Sequence, residues 1–127
     1  MIGTLGSGGK QAGSPSAQAS GAVEPIATTA RGLVQAYKAN EAAAQSRFGN
    51  APLLVSGSIH SIDLGMGDEP FLVLEGGELF SNPQAKLDEA GQAQAGTLTK
   101  GQNVQLLCQS VSEIIGTPML ENCALQP

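Results

Sequence analysis

Between Pro25 and Pro52 the apolar side chains recur at a helical interval. Leu33, Tyr37, Ala44 and Phe48 share one face, with Asn40 occupying the place between them, so successive steps are four, three, four and four. Thr28 or Thr29 can cap the start of such a helix, Gly49-Asn50 can end it, and Pro52 prevents its resumption. The pattern predicts one helix over this stretch. Asn40 is its anomaly, because an Asn amide competes for backbone hydrogen bonds inside a helix.

After Pro52 the period drops to two. PLLVSGSIHSID alternates Val55, Gly57 and Ile59 against Leu54, Ser56, Ser58 and His60, which suits a long strand bent at Gly57. LGMGDEP is a glycine-rich turn, and FLVLEGGELF reads as two short strands broken at Gly76-Gly77. Residues 83–96 form a polar connector with room for one short helix around Ala85 to Ala90. NVQLLCQSVSEI and MLENCALQ then predict two more strands, joined by a turn at Ile115-Gly116-Thr117-Pro118. The tally is mainly β: a five-stranded, closed or partly closed barrel preceded by one N-terminal α-helix.

Residues 1–24 are dominated by Gly, Ser, Ala and Gln and read as a flexible linker or tail, leaving 25–127 as the folded domain. The chain of 127 residues has room for one core. Its formal net charge is −5, and Lys10 cancels Glu24 within the linker, so the excess of acid lies in the domain. An acidic surface disfavours binding to phosphate backbones through bulk charge. No run of 18 apolar residues is present, so no span is expected in the chain, and the first ten residues do not read as a signal peptide.

If the helix closes one end of a barrel, Tyr37, Ala44 and Phe48 face the interior. Asn40 and Glu41 are then expected to reach strand-end backbone groups left unpaired at the mouth. The alternative makes Asn40 and Glu41 ligand contacts in a cleft. His60 is the lone histidine, expected to be an ordinary strand residue, with a ligand or catalytic role as the alternative. Asp63, Asp68 and Glu69 lack the alternating oxygen ligands of a calcium loop. Neither Gly76-Gly77 nor GSGGK has the context of a phosphate loop. No nucleophile is paired with a base and an orienting acid, so an enzyme, a metal site and a cofactor are not expected.

Several of these residues together resemble the bacterial tRNA-anti-like OB-fold family. The run is Leu33, Ala36-Tyr37, Asn40-Glu41, Ala44 and Phe48, then Leu54, Val55, Gly57 and Ile59. It continues with Leu98, Lys100-Gly101-Gln102, Val104, Cys108, Leu120 and Cys123. The resemblance implies an OB-type barrel preceded by a helix, in a family often exported or membrane-tethered and named for its likeness to nucleic-acid-binding domains. It carries a fold rather than an activity. OB-folds that grip single strands use a basic groove and aromatic platforms. Here the candidate platforms are Phe71 and Phe80, flanked by Glu69, Glu75 and Glu78, while Arg31, Lys38, Arg47, Lys86 and Lys100 are scattered.

Cys108 and Cys123 are the only cysteines. In an antiparallel hairpin, paired residue numbers have a constant sum. The midpoint of this pair falls between Ile115 and Gly116, inside the predicted turn, so the thiols are expected opposite one another, with Leu106 facing Leu125. A disulfide there points to an oxidising compartment such as the periplasm, and both positions match the cysteine sites of the family. The alternative is a reduced pair in the cytoplasm, or a bulge near Pro118 that turns one thiol away. The sequence as a whole reads as a non-catalytic binding module of the cell envelope, its ligand an unidentified protein or small molecule. The alternative is a single-stranded nucleic-acid binder.

Overall fold

One long strand, β2 (Leu53–Leu64), holds the molecule together by changing partners along its length. In the computed structural model, which describes residues 24–77 and 81–127, its first half pairs antiparallel with β5 (Asn103–Ile114), from Leu53↔Cys108 to Ser58↔Asn103. Its second half pairs with β3 (Pro70–Leu74), from Ile59↔Leu74 to Leu64↔Pro70. The exchange happens at Gly57–His60. A Cβ on Gly57 would lie 3.1 Å from the Ala30 methyl, so glycine lets the strand bend against the helix that packs there. Register slips by one at His60, a bulge that sharpens the turn of the sheet.

The remaining pairings close the circle. β3 runs antiparallel to β4 (Gln84–Leu87), β4 parallel to β6 (Thr117–Leu125), and β6 antiparallel to β5. The result is a mainly β fold built on a closed five-stranded barrel, with the short strand β1 (Ile26–Thr29) added parallel to the start of β2. Val55, Ile59, Leu72, Leu74, Leu106 and Leu120 point inward and are buried. The helical face predicted from the sequence covers this core: Leu33, Tyr37, Ala44 and Phe48 are each at most 3% exposed. Tyr37 and Phe48 stack with centroids 6.4 Å apart, and the Arg47 guanidinium lies 4.7 Å from the Phe48 ring centre.

The β5–β6 hairpin has the expected register throughout. Leu106 faces Leu125, Cys108 faces Cys123, and Ile114 faces Thr117, with Ile115-Gly116 as the turn. Cys108 and Cys123 form a disulfide, with Cα atoms 4.0 Å apart. No bulge displaces the pair.

Besides the added strand β1, which the sequence pattern does not predict, two local features differ from the sequence-based expectation. The single helix is broken into α1 (Ala30–Ala39) and α2 (Glu41–Phe48). Asn40 is extended, its N–H closing α1 on the Ala36 carbonyl while its side chain caps α2 by accepting from the Ala43 N–H at 3.0 Å. The competition that makes Asn a poor interior residue is resolved by making it a joint. The second difference is β4. The connector, expected to carry a helix around Ala85 to Ala90, holds a strand over Gln84–Leu87 and then α3 (Glu89–Gln94), capped by Asp88. Ala85 and Leu87 are two weak inward signals, and the ladders to β3 and β6 outweigh the helical propensity of the segment. The strand expected after Gly77, with Phe80, and nearly all of the 1–24 linker lie outside the described residues.

Candidate functional site

The outward side chains of the β2–β3–β4–β6 surface follow from strand alternation. Leu72, Leu74, Ala85, Leu87 and Leu120 point to the core, so Phe71, Val73, Gln84, Lys86, Met119 and Glu121 must point out. Register places them in rows. Val73 stands beside Gln84 and Gln84 beside Met119, while Phe71 stands beside Lys86. The Lys86 ammonium lies 3.9 Å from the Glu121 carboxylate. On β2, Ser61 pairs with Val73 and Asp63 with Phe71, and the Ser61 hydroxyl donates to Asp63 at 3.1 Å.

At one end of this surface lies a groove of about 200 Å³, bounded by Met66, Glu69, Pro70, Phe71, Gln84, Lys86, Leu87 and Gln92. Strands β3 and β4 are the second and third of the closed barrel, the face on which OB-folds take ligands. Phe71 supplies a half-buried ring, and Met66, 94% exposed on the β2–β3 turn, overhangs the edge. Gln84 and Gln92 offer neutral donors and acceptors, although the Gln92 amide already donates to the Leu87 carbonyl at 3.1 Å. Of the lining residues only Lys86 is a cation and only Glu69 a carboxylate, with Glu121 beside Lys86 and Asp63 opposite Phe71 on neighbouring strands. Chemically the groove suits an apolar group with a few polar contacts, and it holds no row of cations for successive phosphates.

The other residues singled out from the sequence are not brought to this groove. Asn40 serves the α1–α2 joint. Its reach to strand-end backbone, expected from the helical register, is made instead by Gln45, one turn after Glu41. Gln45 accepts from the Tyr37 hydroxyl at 2.6 Å and donates to the Val111 carbonyl on β5 at 3.2 Å. Glu41 lies beside Glu113 of β5, and hydrogen bonding between the two carboxyls, then the repulsion of their charges, raise Glu41 above the ordinary carboxylate value. Glu113 also accepts from the Gly116 N–H at the hairpin turn. Tyr37 is pushed upward chiefly by burial, and further by the Glu113 charge.

His60 sits on the β2 bulge, half-exposed, with Nδ1 2.7 Å from the Glu75 carboxylate. It lies away from Phe71, beside a shallow cleft whose lining includes Arg31, Ser58, Glu75 and Asn103. Among the described residues, no three His, Cys, Asp or Glu side chains converge on a point that could hold a metal ion. No described helix is long and apolar enough to cross a membrane. Gln84 and Met119 are not singled out by the sequence, and Lys86 stands there only among five scattered cations. The one available signal was the alternation of Gln84 and Lys86 with Ala85 and Leu87, too short to separate from a helix.

A family model, tRNA_anti-like, matches residues 8–124. Among solved structures, the chain is similar to the "putative nucleic acid-binding lipoprotein" of Klebsiella pneumoniae subsp. pneumoniae, with a TM-score of 0.62 and 16% sequence identity. The match covers 81% of this chain and 92% of that one, and at such identity the likeness is one of fold. No curated protein matches the chain.

Proposed function

The chain belongs to the tRNA_anti-like family, and from that premise we propose that it is a non-catalytic OB-fold binding module of the cell envelope whose ligand is a protein or a small molecule. The observation that carries the reading is the chemistry of the β3–β4 groove: an aromatic ring, an overhanging methionine and amide side chains, with Lys86 as the single cation and already beside Glu121. Single-strand binders draw most of their affinity from phosphate neutralisation and base stacking. Here the ring has Glu69 in the same groove and Asp63 opposite it on β2. An envelope location is supported by the Cys108–Cys123 disulfide, which persists in oxidising compartments, and by the lipoprotein nature of the structural neighbour.

The second reading is single-stranded nucleic-acid binding. Phe71 beside Lys86 on the ligand face favours it, as does the name of the structural neighbour. The two readings separate in one titration of the protein against fluorescent single-stranded DNA and RNA oligonucleotides at low and moderate salt. We expect no saturation at micromolar protein. Micromolar affinity that weakens with salt, and is lost in Phe71→Ala and Lys86→Ala, would establish the second reading. Thiol trapping in fractionated cells tests the compartment, with the oxidised chain expected in the envelope fraction.

A further inference from the structure

The β5–β6 turn carries an anomaly of its own. Both of its central residues have positive φ, 49° at Ile115 and 82° at Gly116, the geometry of the tight hairpin turn for which Asn-Gly is the favoured pair. Ile115 is β-branched, the class of side chain least tolerant of that region. Among the described residues no packing of the Ile115 side chain offsets the cost, because Ile115 is 97% exposed and Ile114 beside it is 56% exposed. A turn selected only to reverse the chain would hold Asn here, so the side chain points to contact with something outside.

We propose that Ile114 and Ile115 form a docking tip for a protein partner that presents an apolar pocket rimmed by lysine or arginine side chains. The rim is inferred from charge. Glu113 precedes the tip and accepts from the Gly116 N–H, and Glu41 on α2 lies near enough for the two charges to repel. Two neighbouring carboxylates beside an exposed apolar pair leave a local excess of negative charge that a cationic neighbour complements. Pairing of two tips from copies of this chain would set the same carboxylates against each other. An anionic lipid surface would be repelled by them. The tip projects beyond Thr117, past the Gln84–Met119 row and away from Met66 and Phe71, so it is a surface separate from the β3–β4 groove.

The test places a photo-crosslinking residue at position 114 of the full chain, in the cells that produce it, with and without Ile115→Asn. Because Asn suits the turn, this variant is expected to melt at or above the wild-type temperature, so loss of binding does not reflect unfolding. The expected result is one discrete protein adduct whose cross-linked peptide carries Lys or Arg beside apolar residues. The adduct should fall at least tenfold with Ile115→Asn, and likewise with Glu41→Lys combined with Glu113→Lys. Phe71→Ala should leave it unchanged, which keeps this result independent of the groove. The proposal is overturned by an adduct undiminished in Ile115→Asn, by one to a second copy or to lipid, by a peptide without basic residues, or by no adduct.

Discussion

The Tyr37 hydroxyl donates to Gln45 Oε1 at 2.6 Å, although the two residues belong to different helices and lie eight positions apart. Asn40 makes this contact possible. By ending α1 and starting α2 it turns the second helix so that Gln45 reaches both Tyr37 and the Val111 carbonyl of the barrel. Gln45→Ala removes two hydrogen bonds and leaves a buried phenol without its partner, at a cost of about 1–3 kcal/mol. A cycle with Tyr37→Phe should return a coupling of about 1 kcal/mol by denaturant unfolding. A coupling near zero would remove the link between the helices.

Tyr37 is also the only tyrosine, and there is no tryptophan, so phenolate absorbance reports this one group. Its upward shift from 10.0 favours the neutral phenol in the folded state. The associated stability is therefore present below pH 10 and declines as pH rises through the folded value. An absorbance titration should show a midpoint above 10. In Glu113→Gln the midpoint should fall yet stay above 10, because burial is the larger cause.

For Glu41 the raised value has the same sign of effect. Relative to 4.5, the folded state holds its proton to higher pH, so the carboxyl pair is more favourable in acid and less so at neutrality. A carboxyl NMR titration should place Glu41 above 4.5. The Glu113→Gln variant should return it toward the ordinary value. A Glu41 midpoint indifferent to that substitution would mean the two carboxyls do not meet.

The disulfide closes a separation of 15 residues, and constraining the unfolded chain by such a loop is worth roughly 3 kcal/mol in the chain-entropy model. Cys108→Ser with Cys123→Ser should lower stability by about that amount. The wild-type chain, denatured without reductant, should show no reactive thiol.

At Asn40 the structure predicts a cap and not a strand contact. Asn40→Ala should cost about 1 kcal/mol, while Asn40→Asp and Asn40→Ser, which still accept from the Ala43 N–H, should cost far less. Equal losses in all three would point to a contact other than the cap.

Much of this fold was legible because it is local. The helical face of Leu33, Tyr37, Ala44 and Phe48 is set by the period of their spacing, and burying that stripe is its only favourable outcome in water. The Cys108–Cys123 pairing followed from arithmetic about one turn, since a tight hairpin leaves its register no freedom. Of the β3–β4 groove only Phe71 was singled out as a candidate contact, because an aromatic on a strand carries a visible signal while Gln84 and Lys86 do not.

By itself, then, the amino-acid order determined which segments alternate, which face of the helical stretch is apolar, and which thiols oppose each other. Each of these depends on neighbours within a few turns of the chain. Only the tertiary structure decided that Gln84–Leu87 is a strand, that Gln45 rather than Asn40 ties the helices to the barrel, and that Phe71 meets Lys86. Those outcomes come from barrel closure. The ladders that β3 and β6 offer to β4, and the carbonyl that β5 offers to Gln45, exist only once strands distant in sequence have come together, and their hydrogen bonds then outweigh local preference.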